Sequence, residues 1–150
     1  MDYAIIIEMS RKITIYKWQG NTDYSVEVED IINRVYPTIA KDYNSNAKVE
    51  LYDSIFSRLD AISAIDEHES YAEYHWDKNK IFIYTYHMSS EEYIIRSLIH
   101  ECVHSNHVFD IHEAYYEECD LEYEEHPHEI EAEYEEEKWE KYKLNTITNG

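Results

Sequence analysis

Residues 94–104 read Ile-Ile-Arg-Ser-Leu-Ile-His-Glu-Cys-Val-His, two histidines and a glutamate set inside an otherwise apolar run. Ile94, Ile95, Leu98, Ile99, Cys102 and Val103 recur at the three- and four-residue spacing of a helix that is apolar on most sides, which places it in the middle of a core. A carboxylate and two imidazoles in such a helix are costly unless partnered, so whatever folds around this segment must supply their partners. A four-residue step turns about 400° and rises about 6 Å, so His100 and His104 leave one face of the helix with Glu101 beside it. Composition alone would give an H-E-x-x-H pattern in about one such chain in twelve. The buried helical setting is what composition does not explain.

Coordinating one ion is among the few ways to satisfy these groups together. Neutral imidazoles suit Zn²⁺, and a catalytic zinc site takes three protein ligands and keeps one position open. Glu101 then stands where it can take a proton from water as general base. The segment therefore points to a zinc-dependent hydrolase with His100 and His104 as metal ligands.

At 150 residues the chain is expected to form one domain, with strands and two packing helices over 1–70 and a catalytic core over 71–145. Only 2 Gly and 2 Pro leave little room for linkers, and 16 Tyr against 3 Phe assign much of the packing to amphipathic aromatics. Two cysteines, Cys102 and Cys119, do not make a disulfide framework and fit a reducing compartment. No leader or membrane span is legible, since the apolar run 4–7 is too short and lacks a basic flank. The expected location is cytoplasmic, or the host cytoplasm or virion for a viral protein.

The net charge is −20, and residues 101–143 hold 16 acids against 3 Lys, so this stretch carries −13 of it. A phosphate-binding surface needs clustered Lys and Arg, so direct nucleic-acid contact is not expected. Most of these acids read as a solvated helix face; a basic protein partner or an acidic imitation of DNA are the functional alternatives.

Along the chain, residues 3–8 and 12–18 read as strands joined by a hairpin connection. Val28, Ile31, Ile32, Val35 and Ile39 form a helical stripe with Thr22 or Ser25 as N-cap and Pro37 as a kink or stop. After the turn-like Asn44-Ser45-Asn46, Tyr52, Ile55, Phe56, Leu59 and Ile62 predict a second helix over 47–65. Residues 71–76 and 80–86 predict a hairpin turning at Asp77-Lys78-Asn79. Its second strand is expected at a sheet edge, where Ile81, Ile83 and Tyr84 could pair with an extended peptide. Ser89 with Glu92 forms a capping box, so the motif helix should run from near Ser90 to about Asn106.

The third ligand is sought in His126-Pro127-His128-Glu129-Ile130-Glu131-Ala132-Glu133. Pro127 suits the first turn of a helix running to about Lys143. Glu129 sits early in it, Ala132 would let it approach the motif helix, and Glu133 could accept a hydrogen bond from a ligand histidine. Glu125, His126, His128 and Glu131 are rival ligands, since histidine serves zinc equally well. His107 and His112, like His68, His75 and His87, read as ordinary surface histidines.

His100-Glu101-Cys102-Val103-His104, followed after 24 residues by Glu129-Ile130-Glu131-Ala132-Glu133, resembles the gluzincin pattern of zinc metallopeptidases. It is also similar to small phage-encoded zincin-like proteins in which such a helix precedes a His-Pro-x-Glu segment. The resemblance spans roughly residues 81–143 and implies an α+β, minimal zincin-like domain. In it a small, mostly antiparallel sheet packs on an active-site helix and a C-terminal glutamate-bearing helix. It further implies Zn²⁺ held by His100, His104 and Glu129, with Glu101 as base and Glu133 behind a ligand. The expected activity is peptide-bond hydrolysis. The alternatives are a non-enzymatic zincin fold, such as a virion-associated or partner-binding protein, and an acidic DNA-mimic decoy.

Overall fold

Runs rich in β-branched and aromatic residues, Ala4–Glu8 (β1) and Ile13–Trp18 (β2), pair as antiparallel strands in the computed structural model, which describes residues 4–8, 13–18, 26–52, 72–84 and 90–143. The apolar stripe that follows forms the helix Val26–Asp42 (α1), burying Val28, Ile32, Val35, Tyr36 and Ile39. Pro37 neither stops nor ends it. The proline faces solvent, where water can satisfy the carbonyl its missing N–H leaves free, and the helix continues to Asp42. Both N-cap candidates, Thr22 and Ser25, lie outside the described residues.

The chain turns at Asn44, whose φ of 51° is a left-handed conformation that asparagine tolerates. It then enters the strand Lys48–Tyr52 (β3) rather than a helix. Val49 and Leu51 are buried toward one face, and Glu50 points to the other, where it pairs with Lys80 at 2.7 Å. That two-residue alternation sets the local structure at 48–52; the other positions of the expected second helix lie outside the described residues. β3 runs parallel to β2, with Ile13 opposite Val49, because α1 carries the chain back across the sheet.

Ala72–His75 (β4) and Lys80–Tyr84 (β5) form the expected hairpin, turning at Asn79 with φ 52°. Among the described residues the strand order is β1-β2-β3-β5-β4, with two antiparallel and two parallel pairings. The sheet is therefore mixed rather than mostly antiparallel. β5 lies between β3 and β4, so its backbone is paired on both sides and Ile81, Ile83 and Tyr84 are buried. The expectation that these three present an open edge is overturned; β4 is the outer strand on that side of the sheet.

Glu91–His104 forms the motif helix (α2), capped one residue later than the capping box predicts: the Ser90 hydroxyl accepts the Tyr93 N–H at 3.2 Å. Its six apolar positions are all buried, in one cluster with α1 and the inner sheet residues Val49, Leu51, Ile81 and Ile83. Two shorter helices follow, Phe109–Glu117 (α3) and Pro127–Glu136 (α4), the latter with Pro127 in its first turn. The expected run to Lys143 breaks after α4 into a 3₁₀ turn over Trp139–Tyr142, tied back to α1 by the Tyr142 hydroxyl on Asp42 at 2.7 Å. Among the described residues no helix is long and apolar enough to cross a membrane.

α4 packs antiparallel on α2, since side-chain pairs run in opposite order along them: His104 with Glu129, His100 with Glu136 and Arg96 with Glu137. Ala132, fully buried, sits where the two helices touch. Ala132→Leu should force the helices apart and lower stability by about 1–3 kcal/mol. The loss is measurable as a fall in urea midpoint, and an unchanged midpoint would show that α4 does not pack on α2 as described.

Candidate metal centre

Two helices bring the site together. α2 presents His100 and His104 from one face, and the first turn of α4 presents Glu129 opposite them. Glu129 Oε1 lies 3.0 Å from His100 Nε2 and 2.8 Å from His104 Nε2, and the two nitrogens are 3.1 Å apart. The three sequence-predicted ligands therefore form one compact triangle.

The outer nitrogens decide where the imidazole protons sit. Glu136 Oε2 lies 2.6 Å from His100 Nδ1, and a carboxylate only accepts, so His100 donates from Nδ1. Glu131 Oε1 lies 2.7 Å from His107 Nε2, which places the proton of a neutral His107 there and leaves its Nδ1 as an acceptor. That acceptor stands 3.2 Å from His104 Nδ1, so His104 donates outward as well. In their neutral forms both ligand histidines then turn Nε2 lone pairs toward a carboxylate oxygen. Three acceptors then converge with no proton among them, an arrangement that a cation, whether a metal ion or an added proton, would relieve.

A tetrahedral zinc with bonds of 2.0–2.1 Å separates its ligand atoms by roughly 3.3 Å. The observed separations of 2.8–3.1 Å are close to that value. The residues therefore fit the metal that the motif implies. In the metal-free protein a proton takes its place: burial opposes charge on His100, but its hydrogen bonds to Glu129 and Glu136 prevail and push its pKa up to about 10. Glu129 shows the reciprocal effect. Burial would raise its pKa, yet hydrogen bonds with His100 and His104 hold it well below the carboxylate range.

Glu101 is buried next to the triangle, and burial raises its pKa while His100 and His104 pull it down. It lines an open cleft together with Tyr74 and Trp76 from the β4 side, Tyr93 from α2, and Tyr123. Glu129 Oε2 turns away from the triangle toward the Tyr116 hydroxyl, which donates to it at 3.3 Å.

Glu133 is exposed and supports no ligand; Glu136 does so instead. Seven residues return a helix to within about 20° of its starting direction, so Glu136 shares the inward face with Glu129 and Ala132, while Glu133 lies about 40° to the solvent side. Of the rival ligands, Glu125 and Glu131 are exposed and His126 is buried as the N-cap of α4, its Nδ1 accepting the His128 N–H at 3.1 Å. The surface reading of His107 and His112 is also overturned. His107 is half-buried behind His104, and His112 is buried on α3, its Nε2 3.8 Å from Glu129 Oε2. The 129/132/136 spacing could have revealed Glu136; nothing local reveals His107 or His112, which become neighbours only once α3 folds back.

Compared with known families, characterised proteins and solved structures, the chain has no match.

The cluster also dictates how metal-free stability varies with pH. His100, raised from 6.5 to about 10, contributes stability that is complete below 6.5 and lost as pH rises toward 10. His112 and His128 are both lowered to about 4, first by burial and then by neighbouring histidines, so the unfolded chain takes up protons below 6.5 that the fold refuses. Stability from these groups falls as pH drops from 6.5 toward 4. The melting temperature of chelator-treated protein should therefore be highest near pH 6.5 and fall on both sides, and a profile still rising at pH 9 would contradict these assignments.

Proposed function

We propose that this chain is a zinc-dependent peptide hydrolase of zincin type, with His100, His104 and Glu129 holding the metal. The observation that carries this reading is the convergence of three outwardly anchored acceptor atoms beside a buried glutamate on the wall of an open cleft. Bound zinc would supply Lewis acidity, lowering the pKa of a water and polarising a carbonyl.

The protein's own residues do the rest. Glu101 takes the proton from the attacking water and passes it to the leaving amine, and its raised pKa suits both halves of that transfer. Glu136 and the His107–Glu131 pair keep the ligand nitrogens turned inward, a role whose loss typically costs 10–100-fold in metal affinity. β4 replaces β5 as the strand that would hold a substrate extended, since it lies on the outer side of the hairpin and its Tyr74, with Trp76 just beyond its end, lines the cleft. Glu73, Glu92 and Glu136 line that cleft as well, which with a net charge of −20 favours basic peptides.

The competing reading is a zincin fold without activity. It rests on His112, whose Nε2 lies 3.8 Å from Glu129 Oε2 on the side away from the triangle and would have to swing inward to close the site as a fourth ligand. Glu101→Gln separates the two. This variant should retain wild-type zinc content by elemental analysis and lose about 10²–10⁴-fold in turnover of a basic fluorogenic peptide library. Undiminished turnover in the variant would sink the peptidase reading, and zinc without turnover in the wild type would favour the inactive fold. A second variant, Glu136→Gln, should weaken zinc binding by about 10–100-fold in a competition titration with a chelator. Unchanged affinity would remove Glu136 from the site.

A further inference from the structure

Six histidines of the described residues form one continuous cluster, and only His100 and His104 belong to the triangle with Glu129. His126-Pro127-His128 starts α4, and His112 reaches it from α3. One nitrogen of each of these three histidines lies within 4.8 Å of one nitrogen of the others. His112 Nδ1 and His128 Nδ1 face each other at 3.2 Å, close to the roughly 3.3 Å separation of two ligands on one tetrahedral ion. His126 Nε2 donates to the His112 carbonyl at 2.8 Å, which fixes its proton there and makes Nδ1 the lone-pair nitrogen, as outer hydrogen bonds do for metal-bound histidines.

We infer that His112, His126 and His128 form a second metal site beside the first. An all-imidazole donor set selects Zn²⁺, Cu²⁺ or Ni²⁺ and offers Mg²⁺ and Ca²⁺ no oxygen. On loading, His126 Nδ1 exchanges the His128 amide for the ion. An ion on His112 Nδ1 also forces the remaining proton onto Nε2, which faces Glu129 Oε2 at 3.8 Å. The second ion then supplies a donor directed at a ligand of the first, so filling one site tightens the other. The site does not depend on the hydrolytic reading.

The test is zinc stoichiometry of the full chain, stripped with chelator, reloaded with Zn²⁺, passed through gel filtration and measured by elemental analysis. The wild type should hold two equivalents. His112→Asn and His128→Gln should each hold one, and the double variant His100→Ala with Glu129→Gln should hold the other. His128 is half-buried at the helix start, so His128→Gln serves if His112→Asn does not fold, as circular dichroism would show. A wild type that saturates at one equivalent, or a His128→Gln variant that keeps two, overturns the second site. Two equivalents without hydrolysis would remove the peptidase reading and leave this site standing; one equivalent with hydrolysis would do the reverse.

Discussion

α2 and the first turn of α4 bring three proton-accepting atoms face to face between two antiparallel helices. Such an arrangement repels itself unless a cation lies within it, and the protein accepts that cost because each atom is anchored from behind. Glu136 holds His100, His107 with Glu131 holds His104, and Tyr116 holds the free oxygen of Glu129. Without those anchors the imidazoles could turn and the convergence would be lost. The same anchoring makes α4 dependent on α2, because the two helices share one set of hydrogen bonds along their contact.

The apolar framework exists to keep that geometry still. α2 is buried by α1 on one side and by the inner face of β3 and β5 on another, so its position is fixed by apolar packing independent of the histidine–glutamate triangle. Close-packed interiors resist small displacements, and a helix held this way keeps His100 and His104 in place opposite Glu129. α4 has no comparable framework of its own. It meets α2 through Ala132, and a larger side chain there would lift Glu129 away from both histidines.

Much of this was legible in residues 94–104, where the helical period and the polar interruptions agree on a buried helix with an inward face. Pro127 marked the start of α4, and Asn79 the turn of the hairpin, because both residues have conformational preferences that operate locally. The strand at Lys48–Tyr52 is not legible locally, because a few apolar residues at helical spacing resemble the edge of a longer helix, while its partners in β2 and β5 lie 36 and 32 residues away, at Ile13↔Val49 and Lys48↔Lys80. Strand pairing at that range is a tertiary decision.

The sequence by itself determined the chemistry on α2: two imidazoles one turn apart, a glutamate beside them, and a setting that must be dry. It also confined the candidate partners of those histidines to a short acidic segment. Only the tertiary structure set Glu129 of that segment against His100 and His104, put Glu136 rather than Glu133 behind His100, and gathered His107, His112, His126 and His128 around that triangle. The reason is that spacing along one helix specifies direction within that helix, whereas which side chains meet across two helices depends on their crossing, and no single segment encodes that. The same limit explains the edge strand, since β5 became an interior strand only when β3 paired beside it.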